Sequence, residues 1–339
     1  MNLDHWISLI ALLIALYFLW QVRLILLLLL TAVVLATVLD HVVRRLQKVV
    51  RRRGVAIVLV LLSLFLLMAL AGWLVVPSLI QQVQDLEELV PIGIQRISDW
   101  IARMQEVLPV AVVDGVRNFL NRLVDSPRSL VGNIFDNFFS FFSNTLTVLL
   151  HVLLITVLTI MLLASPMPYR HVFIKLFPAS YRGRISDVLD DCYVSLGGWA
   201  LGILFNMTVI SVMSGLGLWL LGVPLALTNA VIAGVLTFIP NFGPTLSVIP
   251  PMILALIEAP WKALAVLILY IAIQQLESNL LTPLVMKRQV DLLPALTLVA
   301  QVVFAAFFGF LGLFLALPLA IIGQVILREV VVKDTLDHR

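Results

Sequence analysis

Charge is scarce in this sequence. Asp, Glu, Lys and Arg make up 12% of its 339 residues, half the share of about 25% in soluble domains. Hydrophobic residues make up 62%, so the chain lacks the polar residues that would cover a water-facing surface. This composition excludes a soluble enzyme, a disordered protein and a nucleic-acid-binding domain. Cysteine occurs once, at Cys192, which excludes an intrachain disulfide and a thiolate metal cluster.

Sequence motifs for enzymatic chemistry are also missing. The chain has no HExxH, no GxSxG, no P-loop and no dinucleotide fingerprint. Its five histidines are scattered without the spacing of metal ligands. We therefore expect no enzymatic activity, no bound metal and no cofactor.

Long uncharged runs dominate the chain instead. No charged residue stands between Asp191 and Glu258, or between Asp291 and Arg328. A bilayer core about 30 Å thick is crossed by about 20 apolar helical residues, and solid Leu, Val and Ile blocks favour helices over a β-barrel. The sequence predicts an all-α, polytopic membrane protein with six full spans. The predicted spans are residues 6–22, 24–40, 55–76, 145–165, 196–221 and 263–284.

Basic residues set the predicted topology. Those from Arg44 to Arg53 occur with no acid among them, and cytoplasmic loops carry such an excess of Lys and Arg. Both termini are predicted to be cytoplasmic. The predicted parts are N-terminal transmembrane helices with a basic cytoplasmic loop (1–76), an extracytoplasmic segment of amphipathic helices (77–143), and a transport core (144–339) with a cytoplasmic loop at 166–195.

Proline and glycine interrupt two of the apolar stretches. The stretches are 225–257, broken at Pro240, Gly243 and Pro244, and 293–327, broken at Gly309 and Gly312. Proline clashes with the preceding turn of a helix, and each half is too short to cross a bilayer. Two re-entrant helical hairpins fit this pattern, and kinked helices that each cross once are the alternative. Paired interruptions are typical of a transporter's binding site.

Polar residues cluster in the predicted span 263–284. Glu277 lies within it, and a charged residue at mid-span costs about 2.5–3.5 kcal/mol on insertion scales, so its face is expected to point into the bundle. We interpret Glu277 as a candidate proton or cation site, with a helix–helix hydrogen-bond clamp as the alternative. Asn206 and Thr208 are interpreted as interhelical hydrogen-bonding residues. The candidate substrate-binding residues are Asn241, Gln275, Asn279 and Gln301.

Two blocks of residues resemble the AI-2E (autoinducer-2 exporter) family of bacterial permeases. The first block is Gly217 to Pro224, Phe238 to Pro244, and Ile249 with Pro250; the second is Gln275, Glu277, Asn279, Pro283, Met286, Pro294, Gly309 to Gly312, and Pro318. The resemblance covers almost the whole chain. Ser278, Leu293 and the pair Ala305 and Ala306 depart from the family's pattern beside the candidate site, which bears on the substrate rather than the fold.

The resemblance implies a transporter of the bacterial inner membrane that exports a small polar solute such as the quorum-sensing furanone autoinducer-2. It also implies a homo-oligomer, with a pentamer expected, and an elevator-like moving part. We expect a secondary transporter with alternating access, surrounded by membrane lipids, in which Glu277 couples solute movement to a proton or cation. A sodium or lithium/proton antiporter and a non-transporting membrane scaffold are the alternatives.

Overall fold

The computed structural model describes residues 17–74, 76–77, 145–239, 242–281 and 294–329, together with 10 and 13–15. No strand occurs among these residues. Six of the described helices are long and apolar enough to cross a membrane, which confirms the prediction of an all-α, polytopic membrane protein. The predicted segment 77–143, apart from residue 77, and the predicted hairpin tip at Pro240 and Asn241 lie outside the described residues.

The helices are numbered here in chain order. They are α1 (Arg23–Val50), α2 (Arg53–Leu74), α3 (Thr145–Ala164), α4 (Pro166–Lys175), α5 (Arg182–Leu220), α6 (Ala226–Leu236), α7 (Phe242–Ser247), α8 (Ile249–Glu258), α9 (Pro260–Leu276) and α10 (Pro294–Ile326). A π-helical turn, Glu277–Leu281, continues α9.

The chain folds as two compact units. The first unit consists of Met1–Leu61, Leu146–Ala200 and Gln289–Arg339, and the second consists of Leu62–Thr145 and Leu201–Arg288. The division falls within α2 and α5, so each of these helices contributes one part to each unit. The first broken stretch and α9 therefore lie in the second unit, and α10 lies in the first.

Helix α1 is longer than the predicted span 24–40. It continues through Arg44, Arg45 and Lys48, the first three residues of the basic segment. It ends before Arg51, whose backbone has a left-handed conformation with φ of 57°. Basic side chains in the last turn of a helix interact favourably with the partial negative charge of its C-terminus. The residues predicted to form a basic loop therefore lie mostly on helix, and only Arg51 and Arg52 separate α1 from α2.

A buried ion-pair network ties α1, α2, α3 and α5 together in the first unit. Asp40 on α1 accepts hydrogen bonds from Arg44 Nε at 2.6 Å, Arg53 Nη2 at 2.8 Å and Tyr193 Oη at 2.9 Å. Arg53 Nη2 also donates to the backbone oxygen of Leu163 at 2.9 Å. Asp40 is only 5% exposed, and a buried carboxylate is stable when it is both paired and hydrogen-bonded.

Residues 166–195, predicted as a loop, are mostly helical. Helix α4 and a 3-10 turn, Ala179–Tyr181, lead directly into α5. Arg170 holds α4 against α5, since its Nη1 and Nη2 atoms each lie 2.6 Å from a carboxylate oxygen of Asp190. This hydrogen-bonded pairing with Asp190 raises the pKa of the Arg170 guanidinium.

The broken stretch 225–257 is divided into two short helices, α6 and α8, with α7 between them. Helices α6 and α8 are 11 and 10 residues long, too short to cross a bilayer, and they pack against each other. A Cβ atom added to Gly243 would overlap the backbone carbonyl of Leu236 at the end of α6. The chain therefore turns back on α6 immediately after the predicted tip, as a hairpin requires.

Helix α10 is interrupted at Gly309, where φ is 63° and ψ is −145°. These angles lie outside the α-helical region. A Cβ atom added to Gly312 would overlap the carbonyl of Phe304, although these two residues would lie about 12 Å apart in a straight helix. The chain therefore folds back on itself at Gly309, which favours a hairpin over a kinked helix that continues across.

Candidate functional site

The second unit has an apolar core formed by α5, the hairpin α6–α8 and α9. Its buried members are Ile210, Leu218, Val223, Ala233, Leu254, Ala255, Ala263, Val266, Tyr270 and Ile273. On α9 the buried residues recur every three or four positions, which is one face of a helix. Glu277 extends this face by one turn, so a carboxylate lies at the end of an apolar stripe.

Small residues let the helices of this unit approach closely. A Cβ atom added to Gly234 of α6 would lie 2.7 Å from a backbone oxygen of α5, and one added to Gly215 of α5 would lie 3.0 Å from Ala230 Cβ. Gly217 of α5 lies in the same way against the side chain of Leu269 on α9. Membrane helices typically pack through small residues, and Gly215 and Gly217 allow such close contact here.

Glu277 is a buried carboxylate with no counter-charge among the described residues of its unit. It is 7% exposed, and its Oε2 atom has no hydrogen-bond partner among the described residues. The other charged residues in the described part of the second unit are Glu258 and Lys262, which pair with each other near the start of α9. Buried charges are normally paired or hydrogen-bonded. An unpaired acid on a membrane-length helix is instead typical of an ion pathway.

Three further polar side chains of this unit are Ser214 on α5, Asn229 on α6 and Tyr270 on α9. All three are buried, and Ser214 Oγ, Asn229 Oδ1 and Tyr270 Oη complete no hydrogen bond among the described residues. The Ser214 and Tyr270 hydroxyls are neighbours. Asn229 Nδ2 donates to the backbone oxygen of Leu225 at 3.2 Å, which directs the amide oxygen of Asn229 away from that carbonyl.

The sequence pattern alone identifies none of these three residues. Ser214, for example, lies on the apolar stripe of α5 between Ile210 and Leu218. A single Ser, Asn or Tyr in an apolar helix is common, because such residues often form local or interhelical hydrogen bonds. Only their burial, and the proximity of the Ser214 and Tyr270 hydroxyls, distinguish these residues, and both are tertiary properties.

Asn206 and Thr208 lie on different faces of α5. Thr208 is exposed and donates to the backbone oxygen of Leu204 at 2.8 Å, so the predicted interhelical hydrogen bond is wrong for this residue. Asn206 is 5% exposed, and its Oδ1 atom has no hydrogen-bond partner among the described residues. It precedes Ile210 by four positions and therefore shares the face of α5 that contributes to the core.

Gln275 and Asn279 lie on an exposed side of α9 and the π-helical turn. Asn279 Nδ2 donates to Gln275 Oε1 at 3.0 Å, so the structure brings these two predicted residues together. They do not share the buried face of Glu277, because residues two positions apart on a helix project roughly 200° apart. Their role in substrate binding stays a prediction.

The other predicted residues are distributed along the chain. Gln301 is 1% exposed on α10 of the first unit, and Asn241 lies outside the described residues. Gly243, Pro244, Gly309 and Gly312 lie at or beside the two breaks in helical structure. Within the described ranges no group of three His, Cys, Asp or Glu side chains could hold a metal ion.

Comparison with known proteins identifies the family. The sequence pattern of the AI-2E family of transporters matches residues 7–332. The chain belongs to the AI-2E transporter family. Membership gives this AI-2E chain a general function, transport across a membrane, and the six membrane-length helices agree with a membrane location.

Relatives of this AI-2E chain occur in distant bacteria. YueF of Bacillus subtilis (strain 168) is 26% identical over 298 residues, which cover 85% of this chain and 79% of YueF. PerM of Escherichia coli (strain K12) is 27% identical over 312 residues, 88% of this chain and 86% of PerM. The AI-2 transport protein TqsA of the same strain is 24% identical over 305 residues, 88% of this chain and 83% of TqsA.

Proposed function

We propose that this AI-2E chain is a secondary transporter that exports a small polar solute by alternating access, with Glu277 exchanging a proton or a cation during the cycle. The observation that carries the proposal is the burial of Glu277 without a counter-charge in the described part of its unit. Ionisable residues inside the membrane are costly and typically mark ion paths. A carboxylate that is buried only when it binds a proton or a cation makes the conformation of the protein depend on the gradient of that ion.

The two hairpins support an elevator-like moving part that carries the solute. Short helices that reverse within the membrane leave unpaired backbone N–H and C=O groups at their ends. Such unpaired groups are tolerated only inside protein or beside a water-filled cavity. Interrupted helices of this kind commonly contribute a transporter's substrate site. Asn241, Gln275, Asn279 and Gln301 are the proposed neutral contacts, and a relative, TqsA, is named as an AI-2 transport protein.

A sodium or lithium/proton antiporter is the second candidate. The buried Glu277 carboxylate is compatible with an antiporter too, because cation–proton exchange at Glu277 needs no organic solute.

A non-transporting scaffold is the third candidate. The buried polar groups of the second unit disfavour a scaffold, since apolar residues of similar volume would stabilise that core at least as well.

We propose a bacterial inner-membrane location with both termini in the cytoplasm, and a homo-oligomer, with five copies as the proposed number. The basic residues near the end of α1 support this orientation through the excess of Lys and Arg in cytoplasmic segments. Large apolar side chains such as Phe65 and Trp73, 78% and 75% exposed, support contact with lipid or with another copy.

Flux in proteoliposomes tests the proposed function. Purified protein is reconstituted, a pH gradient is imposed, and the movement of labelled autoinducer-2 and of Na⁺ is followed. Glu277→Gln is expected to abolish gradient-driven flux. The matched control Glu258→Gln is expected to retain it, because Glu258 pairs with Lys262 outside the buried stripe.

The outcomes separate the three candidates. Gradient-driven flux that is unchanged in Glu277→Gln would contradict a coupling role for this carboxylate. Proton movement on adding Na⁺ or Li⁺ without any solute flux would favour the antiporter. A wild-type protein that moves neither solute nor ion under either gradient would favour the scaffold.

A further inference from the structure

Four basic side chains are exposed where α1 meets α2. Arg45 and Lys48 lie near the end of α1, and Arg51 and Arg52 are the two residues between α1 and α2. None of the four side chains forms an ion pair or a hydrogen bond among the described residues. Arg45 and Arg51 are only about 9 Å apart along the helix axis, since a helix rises about 1.5 Å per residue. We call these four residues the basic patch.

The other basic residues of this stretch are already paired. Arg44 Nε and Arg53 Nη2 lie 2.6 Å and 2.8 Å from the carboxylate oxygens of Asp40. After Asp40 the chain has no further acid until Asp85. The structure therefore divides the six basic residues into two that neutralise a buried acid and four whose charge is not paired within the described residues. This division depends on packing, so a count of basic residues does not show it.

Exposed apolar side chains adjoin the basic patch on both helices. On α1, Val42 and Val49 are exposed and share one face with Arg45, which lies three and four positions from them. Val49 is 80% exposed. On α2, Val55 and Val58 are exposed on one face that begins three positions after the patch. Because both helices are long and apolar enough to cross a membrane, these apolar side chains are in a position to contact lipid acyl chains.

The chemistry of the basic patch suits a phosphate group that carries acyl chains. Arginine guanidinium groups bind phosphate oxygens through paired N–H donors. Clusters of Lys and Arg at the end of a membrane helix attract anionic lipid headgroups, and each residue strengthens that binding about fivefold. Long basic side chains at helix ends extend towards the headgroups while their stems lie along apolar surface. A free phosphate ion would use only the charges, whereas a phospholipid also uses the apolar faces of α1 and α2.

We propose that the basic patch binds the headgroup phosphate of an anionic phospholipid, and that Val42, Val49 and Val55 contact the acyl chains of the same molecule. Arg51 and Arg52 hold the phosphate at the connection between the two helices, and the other two basic residues of the patch add to its electrostatic attraction. A preferred lipid at one place goes beyond the general surrounding of membrane helices by lipid. The inference rests on the membrane location of α1 and α2 and does not depend on the proposed carrier.

Lipid binding to the full-length protein in a neutral detergent tests this site. The probe is phosphatidylglycerol with a fluorescent acyl chain, the reference is phosphatidylcholine with the same chain, and fluorescence anisotropy measures binding. We expect the wild type to bind phosphatidylglycerol at least about tenfold more tightly than phosphatidylcholine, since several basic residues act together. Raising NaCl from about 0.1 M to about 1 M is expected to weaken this preference, because the screening length falls from about 10 Å to about 3 Å. Inorganic phosphate is expected not to displace the lipid.

Removal of the charges is expected to remove the preference for the anionic lipid. Arg51→Gln with Arg52→Gln is expected to weaken phosphatidylglycerol binding at least about tenfold, because two contributions of about fivefold are lost. Arg45→Gln with Lys48→Gln repeats the test within α1 and is expected to act in the same direction. Arg51→Lys with Arg52→Lys keeps both charges and is expected to retain most of the preference.

A matched control removes the same charge elsewhere. Lys175 and Arg328 are exposed basic residues of the first unit outside the patch, and Lys175→Gln with Arg328→Gln is expected to bind phosphatidylglycerol as the wild type does. Melting temperatures without added lipid check folding. All three glutamine pairs are expected to melt as the wild type does, because none of the exchanged side chains has an ion-pair partner among the described residues. If one glutamine pair of the patch melts lower, the other pair decides.

Each result supports or overturns the inference. Weaker phosphatidylglycerol binding in the patch variants, but not in the control pair, would support it. Equal binding of the two lipids by the wild type would overturn it, as would equal losses in the patch and control variants, which would indicate attraction by net charge alone. Displacement of the lipid by inorganic phosphate, or binding by the lysine pair as weak as by the glutamine pair, would also overturn it. Flux tests the proposed carrier separately, so failure of this lipid site leaves the carrier unaffected.

Discussion

Asp40 Oδ1 lies 2.8 Å from Arg53 Nη2, so two residues 13 positions apart form an ion pair across the short connection between α1 and α2. The Asp40 carboxylate receives hydrogen bonds from two arginines and one tyrosine, whereas Glu277 Oε2 has no partner among the described residues. Both acids are buried. The contrast supports a structural role for Asp40 in its unit and is consistent with the ion-coupling role proposed for Glu277.

Replacing Asp40 is expected to destabilise the protein strongly. Asp40→Asn leaves the charges of Arg44 and Arg53 without their carboxylate, and removing one partner of a buried ion pair costs about 3–5 kcal/mol. We expect the lower end of this range, because the Arg53 side chain is 31% exposed and water screens it partly. Thermal unfolding in detergent, followed by circular dichroism, measures the change.

An exposed ion pair supplies the control for Asp40. Asp190 pairs with Arg170, and the side chain of Asp190 is 58% exposed. Exposed pairs contribute at most about 1 kcal/mol, so Asp190→Asn is expected to lower the melting temperature far less than Asp40→Asn. Equal effects of the two substitutions would show that Asp40 has no special structural role.

The second hairpin is expected to depend on two glycines. Gly309→Ala places a side chain on a backbone with φ of 63° and ψ of −145°, a region that is essentially restricted to glycine and costs about 1–3 kcal/mol otherwise. Gly312→Ala forces a Cβ atom into the carbonyl of Phe304. Both variants are expected to lose thermal stability, and both are expected to lower flux in proteoliposomes.

Gly323 is the matched control on the same helix, because a Cβ atom there would meet nothing within 4 Å. Gly323→Ala is expected to be neutral or to stabilise by about 0.5–1 kcal/mol, since alanine is the better helix former. If Gly312→Ala were as stable as Gly323→Ala, the close approach of α10 to its own first half would not exist in the protein.

Leu225 is a strained residue whose backbone oxygen accepts a hydrogen bond from Asn229 Nδ2. It has φ of 55° and ψ of 31°, a left-handed conformation that costs a residue with a side chain about 1–2 kcal/mol. Leu225→Gly removes this strain but increases the entropy of the unfolded chain by about 0.5–1 kcal/mol. We expect a small net gain in thermal stability, whereas Leu227→Gly within α6 is expected to destabilise. Destabilisation of similar size by both variants would argue against strain at Leu225.

Tyr270 carries a buried hydroxyl that completes no hydrogen bond among the described residues. An unsatisfied buried polar group costs about 1–3 kcal/mol, so Tyr270→Phe is expected to leave stability unchanged or to raise it. A matched change at an exposed tyrosine, Tyr181→Phe, is expected to have no effect. A marked loss of stability in Tyr270→Phe alone would indicate that the Tyr270 hydroxyl binds a water or a solute beside Ser214.

Several features of this chain follow from local sequence. The uncharged runs predict the membrane-length helices because the length of an apolar helix needed to cross a bilayer depends on composition alone. The breaks at Gly243 and Gly309 are likewise predictable, since proline and glycine act on the backbone of their own turn. Helical periodicity also places Glu277 and Gln275 on different faces, in agreement with the separate roles predicted for them, ion coupling for Glu277 and substrate binding for Gln275.

Other features were beyond local reasoning. Two features were not predicted: the helical structure of residues 166–195 and the extension of α1 past residue 40. The reason is that charged residues mark where a chain leaves the lipid and not where its helix ends. The inference of a loop from charge alone therefore failed at both places. Cap geometry and tertiary packing decide the end of a helix, and neither is visible in a count of charges.

The sequence by itself determined the class of this protein, the places where its helices break and the presence of an acid within a span, because each depends on residues within a few turns of one another. Only the tertiary structure decided which acids are paired. Asp40 accepts a hydrogen bond from Tyr193, 153 positions away in the chain, whereas Glu277 Oε2 has no hydrogen-bond partner among the described residues. Which side chains come into contact depends on how whole helices pack. That packing is fixed by the shapes of many side chains together rather than by any short stretch of chain.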